Sequence, residues 1–165
     1  MTLKEIAGRI ALLHPAFVTL GLLAGLIIWP LAWISSEPLI RALGGMPYVG
    51  FLCAWSWSVF LASAGPGDRT ALWAQATYMA PPLIIFVAVT AGWSMNNSPP
   101  AFAFFGTLFF GLWLAASAVE KAASGSARAG LWRVIATTLL MYLGIVGAWV
   151  LRERIRRAVA IPDES

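Results

Sequence analysis

Apolar residues fill five stretches of this chain, Pro15 to Ile34, Pro47 to Ala64, Trp73 to Trp93, Ala101 to Val119 and Leu131 to Leu151. Each has the length, roughly 17–25 residues, that a helix needs to cross the hydrocarbon of a bilayer. Inside hydrocarbon every backbone N–H and C=O must be satisfied within the segment, which selects helix over strand. Alternation of period two is missing, which argues against a barrel. The pattern predicts an all-α integral membrane helical bundle of about five transmembrane helices, or four if one stretch fails to cross. It forms one membrane domain with no soluble domain beside it.

The stretch boundaries carry residues with physical reasons to be there. Trp29, Trp33, Trp73, Trp93, Trp132 and Trp149 lie near span ends, where an indole can rest at head-group level with its N–H wet. Gly65-Pro66-Gly67-Asp68 and Asn96-Asn97-Ser98-Pro99-Pro100 are turn signals, and Ser124-Gly125-Ser126 is a short flexible patch. Asn96-Asn97-Ser98 also has the form of a glycosylation acceptor.

Both flanks are amphipathic. Leu3, Ile6, Ile10 and Leu13 recur at helical spacing with Lys4, Glu5 and Arg9 off the stripe, so residues 1–14 are expected to lie in the interface plane. Residues 152–165 form a basic tail in which Arg152, Arg154, Arg156 and Arg157 surround Ile155 and Val159; these arginines are expected to contact a partner or anionic lipid.

Charge alters the picture mainly through its placement. Only 11% of residues are charged, 60% are apolar and the mean hydropathy is +0.80, so the apolar excess has to face lipid. The net charge of +4 does not mark a nucleic-acid binder, because the cations sit between and beyond the apolar stretches rather than along one soluble face. Five spans, however, give no consistent orientation. With the N-terminal flank inside, Lys4, Arg9, Arg69, Lys121, Arg128 and Arg133 oppose Arg41 and the four tail arginines, six against five. Either one stretch fails to cross, the Pro-interrupted third being the first candidate, or the chain inserts in both directions.

Candidate chemistry is sparse. No Asp, Glu, Lys or Arg falls in the middle of a stretch, which weighs against proton- or ion-coupled transport and voltage sensing. His14 is the single histidine and Cys53 the single cysteine, too few for a haem held between two histidines, a zinc site or a catalytic triad. No cofactor or metal is expected. Asp68, Arg69, Glu120 and Lys121 could serve a lipid head-group enzyme if their loops met, although helix capping and anchoring explain them as well.

Pro81-Pro82 removes two backbone donors inside the third stretch and leaves the carbonyls of Thr77 and Tyr78 without their usual partners. Gln75, Thr77, Tyr78, Trp55 and Trp57 could close that break, or could line a hinge or apolar ligand cavity with Phe105 and Phe109 of the fourth stretch. Gly21 and Gly25 form Gly-x-x-x-Gly, and Gly144 and Gly147 stand three apart; both pairs permit close helix approach to a neighbour in this chain or another, and Gly21 and Gly25 are candidates for partner or lipid contact.

In size, span number and its nine tryptophans the chain is similar to the tryptophan-rich sensory proteins, which bind porphyrins and lipophilic ligands. The likeness is one of composition: Trp29-Pro30 and Trp73 stand alone, Pro81-Pro82 falls within a span, and no residue's role is carried over. The expected function is that of a non-catalytic small subunit or accessory factor of a larger membrane assembly, in a bacterial inner membrane, with lipids and another membrane protein or a second copy as partners. A binder of an apolar molecule or lipid is the alternative, and a head-group enzyme the third.

Overall fold

A computed structural model of the chain describes residues 3–69, 71–96, 98–126 and 128–160. Thr2, the Arg69 side chain, Asn97 and the tail beyond residue 160, on which some of these expectations fall, lie outside the described residues. All regular structure among the described residues is helical: α1 (Leu3–Ala11), α2 (Pro15–Trp33), α3 (Pro38–Ser63), α4 (Pro66–Arg69), α5 (Leu72–Thr90), α6 (Pro99–Ser124), α7 (Leu131–Tyr142), α8 (Ile145–Val150) and α9 (Arg152–Ala160). The chain is an all-α, multi-pass membrane protein, and α2, α3, α5 and α6 are long and apolar enough to span.

Local chemistry sets the ends of these helices. Proline opens α2, α3 and α6 at the first turn, where its missing N–H costs nothing and its fixed φ suits a helix. The backbone N–H of Ala16 donates to His14 Nδ1 at 3.3 Å, so the lone histidine caps α2. The second span starts earlier than the apolar run: α3 begins at Pro38 and continues through Pro47. Tertiary packing holds that extra length. A Cβ on Gly44 would come within 2.0 Å of Ala32 Cβ, so α2 and α3 touch there almost backbone to backbone.

Glycine spacing also decides where α2 packs. Added Cβ atoms would meet the Phe51 ring at 2.7 Å from Gly21, and the Tyr48 backbone at 2.5 Å from Gly25. Both glycines therefore face α3 of the same chain. Their expected role as partner contacts is corrected to an internal helix seam, the close approach that small residues allow in a bundle.

The fifth stretch differs most from expectation. It is broken at Gly144 into twelve-residue α7 and six-residue α8, and α7 is about 18 Å long against roughly 30 Å of hydrocarbon. The neighbours show that the two pieces run in opposite directions. Thr137 of α7 meets Glu120 near the end of α6, and five residues later Tyr142 stacks on Phe109, more than two turns back along α6. A Cβ on Gly144 would lie 2.9 Å from Leu22 and 3.8 Å from Leu52, deep in the bundle. Beyond it the chain returns: Trp149 bonds Thr19, its ring meets His14, and Arg154 of α9 reaches Glu120 again. This stretch is a re-entrant helical hairpin, not a span.

Gly144 makes the turn, with φ +49 and ψ −81, a conformation that a Cβ resists. Such a backbone tip is tolerated at membrane depth only when protein surrounds it, and α2 and α3 do so here.

A consequence for charge follows. α1, α4, α9, the link from α6 to α7 and the ends of α3 and α6 gather at one end of the bundle, hereafter the basic end. Of eleven Lys and Arg residues, ten lie there, leaving Arg41 at the other. The six-to-five balance came from counting the fifth stretch as a crossing. With single cysteines at Ser126, Arg157 and Ser36 on a background lacking Cys53, a membrane-impermeant thiol reagent should label the first two from the same side and the third from the opposite one. Positions 126 and 157 on opposite sides would restore a fifth crossing.

The amphipathic flanks behave in opposite ways. On α1 the stripe Leu3, Ile6 and Ile10 is exposed, while the small residues Ala7, Gly8 and Ala11 pack inward, Gly8 against Val159. On α9 the apolar residues Ile155 and Ala158 are buried in the chain, while Arg152, Arg156 and Arg157 are exposed.

Candidate functional site at the basic end

Among the described residues, Glu120 is the buried charge of the basic end. The apolar run ends at Val119, which placed Glu120 at a span boundary as a cap; α6 instead continues to Ser124 and carries Glu120 into the packed interior. Its side chain is 6% exposed. Glu120 Oε1 accepts a hydrogen bond from Thr137 Oγ1 at 2.6 Å and pairs with Arg154 Nη1 at 3.0 Å. Three helices, α6, α7 and α9, are joined at one oxygen. Adjacent Lys121 points elsewhere, since neighbours in a helix lie about 100° apart.

That pairing changes the part assigned to Arg154. Expected as a free contact for a partner or lipid, it is consumed inside the chain. Arg157 is exposed, as are Arg128 and Arg133 on the α6–α7 link and α7, and none makes an ion pair among the described residues.

Arg152 and Arg156 do something different. One turn apart on α9, they line a cavity of about 180 Å³ with Ala11, Leu12 and Leu13 at the α1–α2 link, Val18 of α2, Trp55 of α3 and Ala148 of α8. A second cavity at the same end, about 250 Å³, brings together Asp68 and Lys121 with Ser63, Ser117 and Trp73. The hydroxyl of Ser63 is buried there without a partner. The proposed enzyme set is thus split: Asp68 and Lys121 share this cavity, Glu120 faces α7 and α9.

Pro81-Pro82 does not interrupt the helix. Pro81 is fully buried, α5 runs unbroken through both prolines, and Tyr78 reaches across to donate its hydroxyl to the Gly111 carbonyl at 2.8 Å. Tyr78 also packs on Phe60 with ring centres 5.8 Å apart, and Thr77 Oγ1 donates to the Trp73 carbonyl. Gln75 sits half-buried in the first turn of α5. Trp55 faces the cavity beside α9 rather than this break, and the Trp57 indole N–H is buried without a partner. Phe105 and Phe109 are exposed on α6, Phe109 stacked on Tyr142. These residues do not converge on one ligand cavity; the Pro81-Pro82 segment is a packed span.

At the opposite end Arg41 lies 5.9 Å from the Trp33 ring centre, and its Nη2 donates to the Ser36 carbonyl. Among the described residues no three His, Cys, Asp or Glu side chains gather as metal ligands would.

Residue spacing could not have found the Glu120 cluster, whose members are 17 and 34 positions apart. The one available signal was a carboxylate one residue past an apolar run, followed by a Thr-Thr pair in the next. No family model, curated protein or solved structure matches the chain.

Proposed function

We propose that the protein is a small accessory unit of a larger membrane assembly, with its basic end on the cytosolic side of a bacterial inner membrane. The observation that carries this reading is the concentration of ten cations at one end, of which Arg128, Arg133 and Arg157 are exposed and unpaired among the described residues. Lysine and arginine near span ends favour the cytosolic side. A partner with an acidic surface fits what they offer, because complementary charge both steers and aligns association.

A carrier of apolar molecules has weaker support. Its strongest feature is a groove of about 960 Å³ between α5 and α6 at the Arg41 end, lined by Leu83, Val87, Trp93, Pro99 and Pro100, and that groove is open rather than enclosed. A head-group enzyme has Asp68 and Lys121 but not Glu120, whose carboxylate is engaged.

Native mass spectrometry on the protein extracted gently from its own membrane tests the accessory reading. A stoichiometric second polypeptide is expected, and charge reversal at Arg128, Arg133 and Arg157 should release it. A chain that leaves the membrane with no other polypeptide overturns the proposal.

A further inference from the structure

We infer that Arg152 and Arg156 form a binding site for the phosphodiester of an anionic phospholipid, held in the cavity between α9, the α1–α2 link and α3. Two like charges at i and i+4 on a helix repel, so the pair costs stability unless something between them is negative. No carboxylate among the described residues takes that role. Glu120 is occupied by Arg154 and Thr137, exposed Glu153 pairs with neither arginine, and Arg152 and Arg156 have no ion-pair partner among the described residues.

The cavity suits a lipid rather than a free anion. Its polar side is guanidinium, which grips phosphate through two parallel N–H bonds. Its other walls are Ala11, Leu12, Leu13, Val18, Trp55 and Ala148. An inorganic phosphate would leave that apolar surface uncovered, whereas the glycerol and first methylenes of a lipid would cover it. Depth agrees: the site lies where α2 enters the bundle, and its lining residues Leu13 and Ala148 directly precede His14 and Trp149, whose rings meet with centres 5.9 Å apart. Basic pockets between helices on the cytosolic side are suited to such head groups.

The inference shares the sidedness of the proposed function but uses different residues, so the two can fail separately. Loss of a protein partner on reversing Arg128, Arg133 and Arg157 says nothing against lipid retention, and the reverse holds.

The full-length chain in nanodiscs of phosphatidylcholine containing phosphatidylglycerol, released into native mass spectrometry, gives the test. One retained phosphatidylglycerol per chain is expected. The double variant Arg152→Gln, Arg156→Gln should retain about tenfold less, the loss appropriate to charge-assisted hydrogen bonds. Arg157→Gln, on the same helix but outside the cavity, should retain as much as the parent. Ala148→Leu fills the cavity without altering charge and should also expel the lipid; melting followed through the buried Cys53 thiol checks that each variant is folded. An equal loss in Arg157→Gln, full retention in folded Ala148→Leu, equal retention of phosphatidylcholine, or displacement by millimolar inorganic phosphate would each overturn the assignment.

Discussion

Gly147→Ala is expected to destabilise the folded bundle by about 3 kcal/mol or more, among the largest effects a single methyl can have. An ideal Cβ at this position would stand 1.9 Å from the Leu140 carbonyl oxygen and 2.6 Å from its carbon. Those atoms are backbone of α7, so no rotamer change makes room, and α8 must separate from α7. Separation would strip cover from the turn at Gly144, whose polar backbone lies at membrane depth. Gly50→Ala and Gly106→Ala are the controls, since a Cβ there meets nothing within 4 Å. They should be neutral or stabilising by up to about 1 kcal/mol through helix propensity. Cys53, the single cysteine and buried, supplies the readout: reaction with a thiol-sensitive dye during heating reports unfolding in detergent. A fall of roughly 6–12 °C is expected for Gly147→Ala. If its midpoint matches the two controls, the tight α7–α8 hairpin is wrong.

Arg154→Ala should produce the second large loss, about 2–3 kcal/mol, and should cost more than Glu120→Gln. The asymmetry comes from burial: the Arg154 side chain is 45% exposed and that of Glu120 is 6% exposed. Removing the arginine strands a buried carboxylate with Thr137 as its one remaining partner among the described residues, whereas replacing the carboxylate frees a guanidinium that can reach water. The magnitude is set below that of a fully buried pair because solvent already screens Arg154. Glu120→Gln keeps an oxygen for Thr137. In the double variant the stranded charge is gone, so its loss should be well short of the sum, a coupling that a double-mutant cycle in the same melting assay measures. Arg157→Ala, at a residue exposed and unpaired among the described residues, is the reference. An Arg154→Ala midpoint equal to that of Arg157→Ala would reduce the Glu120 contact to a surface ion pair of little consequence.

Together these contacts explain why the hairpin closes where it does. Glycine at 144 permits the turn, glycine at 147 permits the contact, and Glu120 ties α7 and the following α9 back to α6. The chain thereby anchors two helices, each too short to cross, and brings α9 to the same end as α1.

Sequence alone determined the solvent and the helical class. Sixty per cent apolar residues with few charges require lipid, and lipid requires helices, whatever the neighbours are. It also marked α1 and α9 as amphipathic and Gly21 and Gly25 as a close-packing face, because helical period and side-chain size are local properties. Tertiary structure alone decided which partner each face meets. Composition made the stretch from Leu131 to Leu151 look like a span; Leu22 and Leu52 packed on its Gly144 turn, and Gly147 folded back against its own Leu140, make it a hairpin. Hydropathy put Glu120 at a boundary, and only the arrival of Thr137 and Arg154 from distant segments made its burial affordable. The apparent charge balance had the same origin: crossings are counted from length, but whether a helix crosses depends on what its turn packs against.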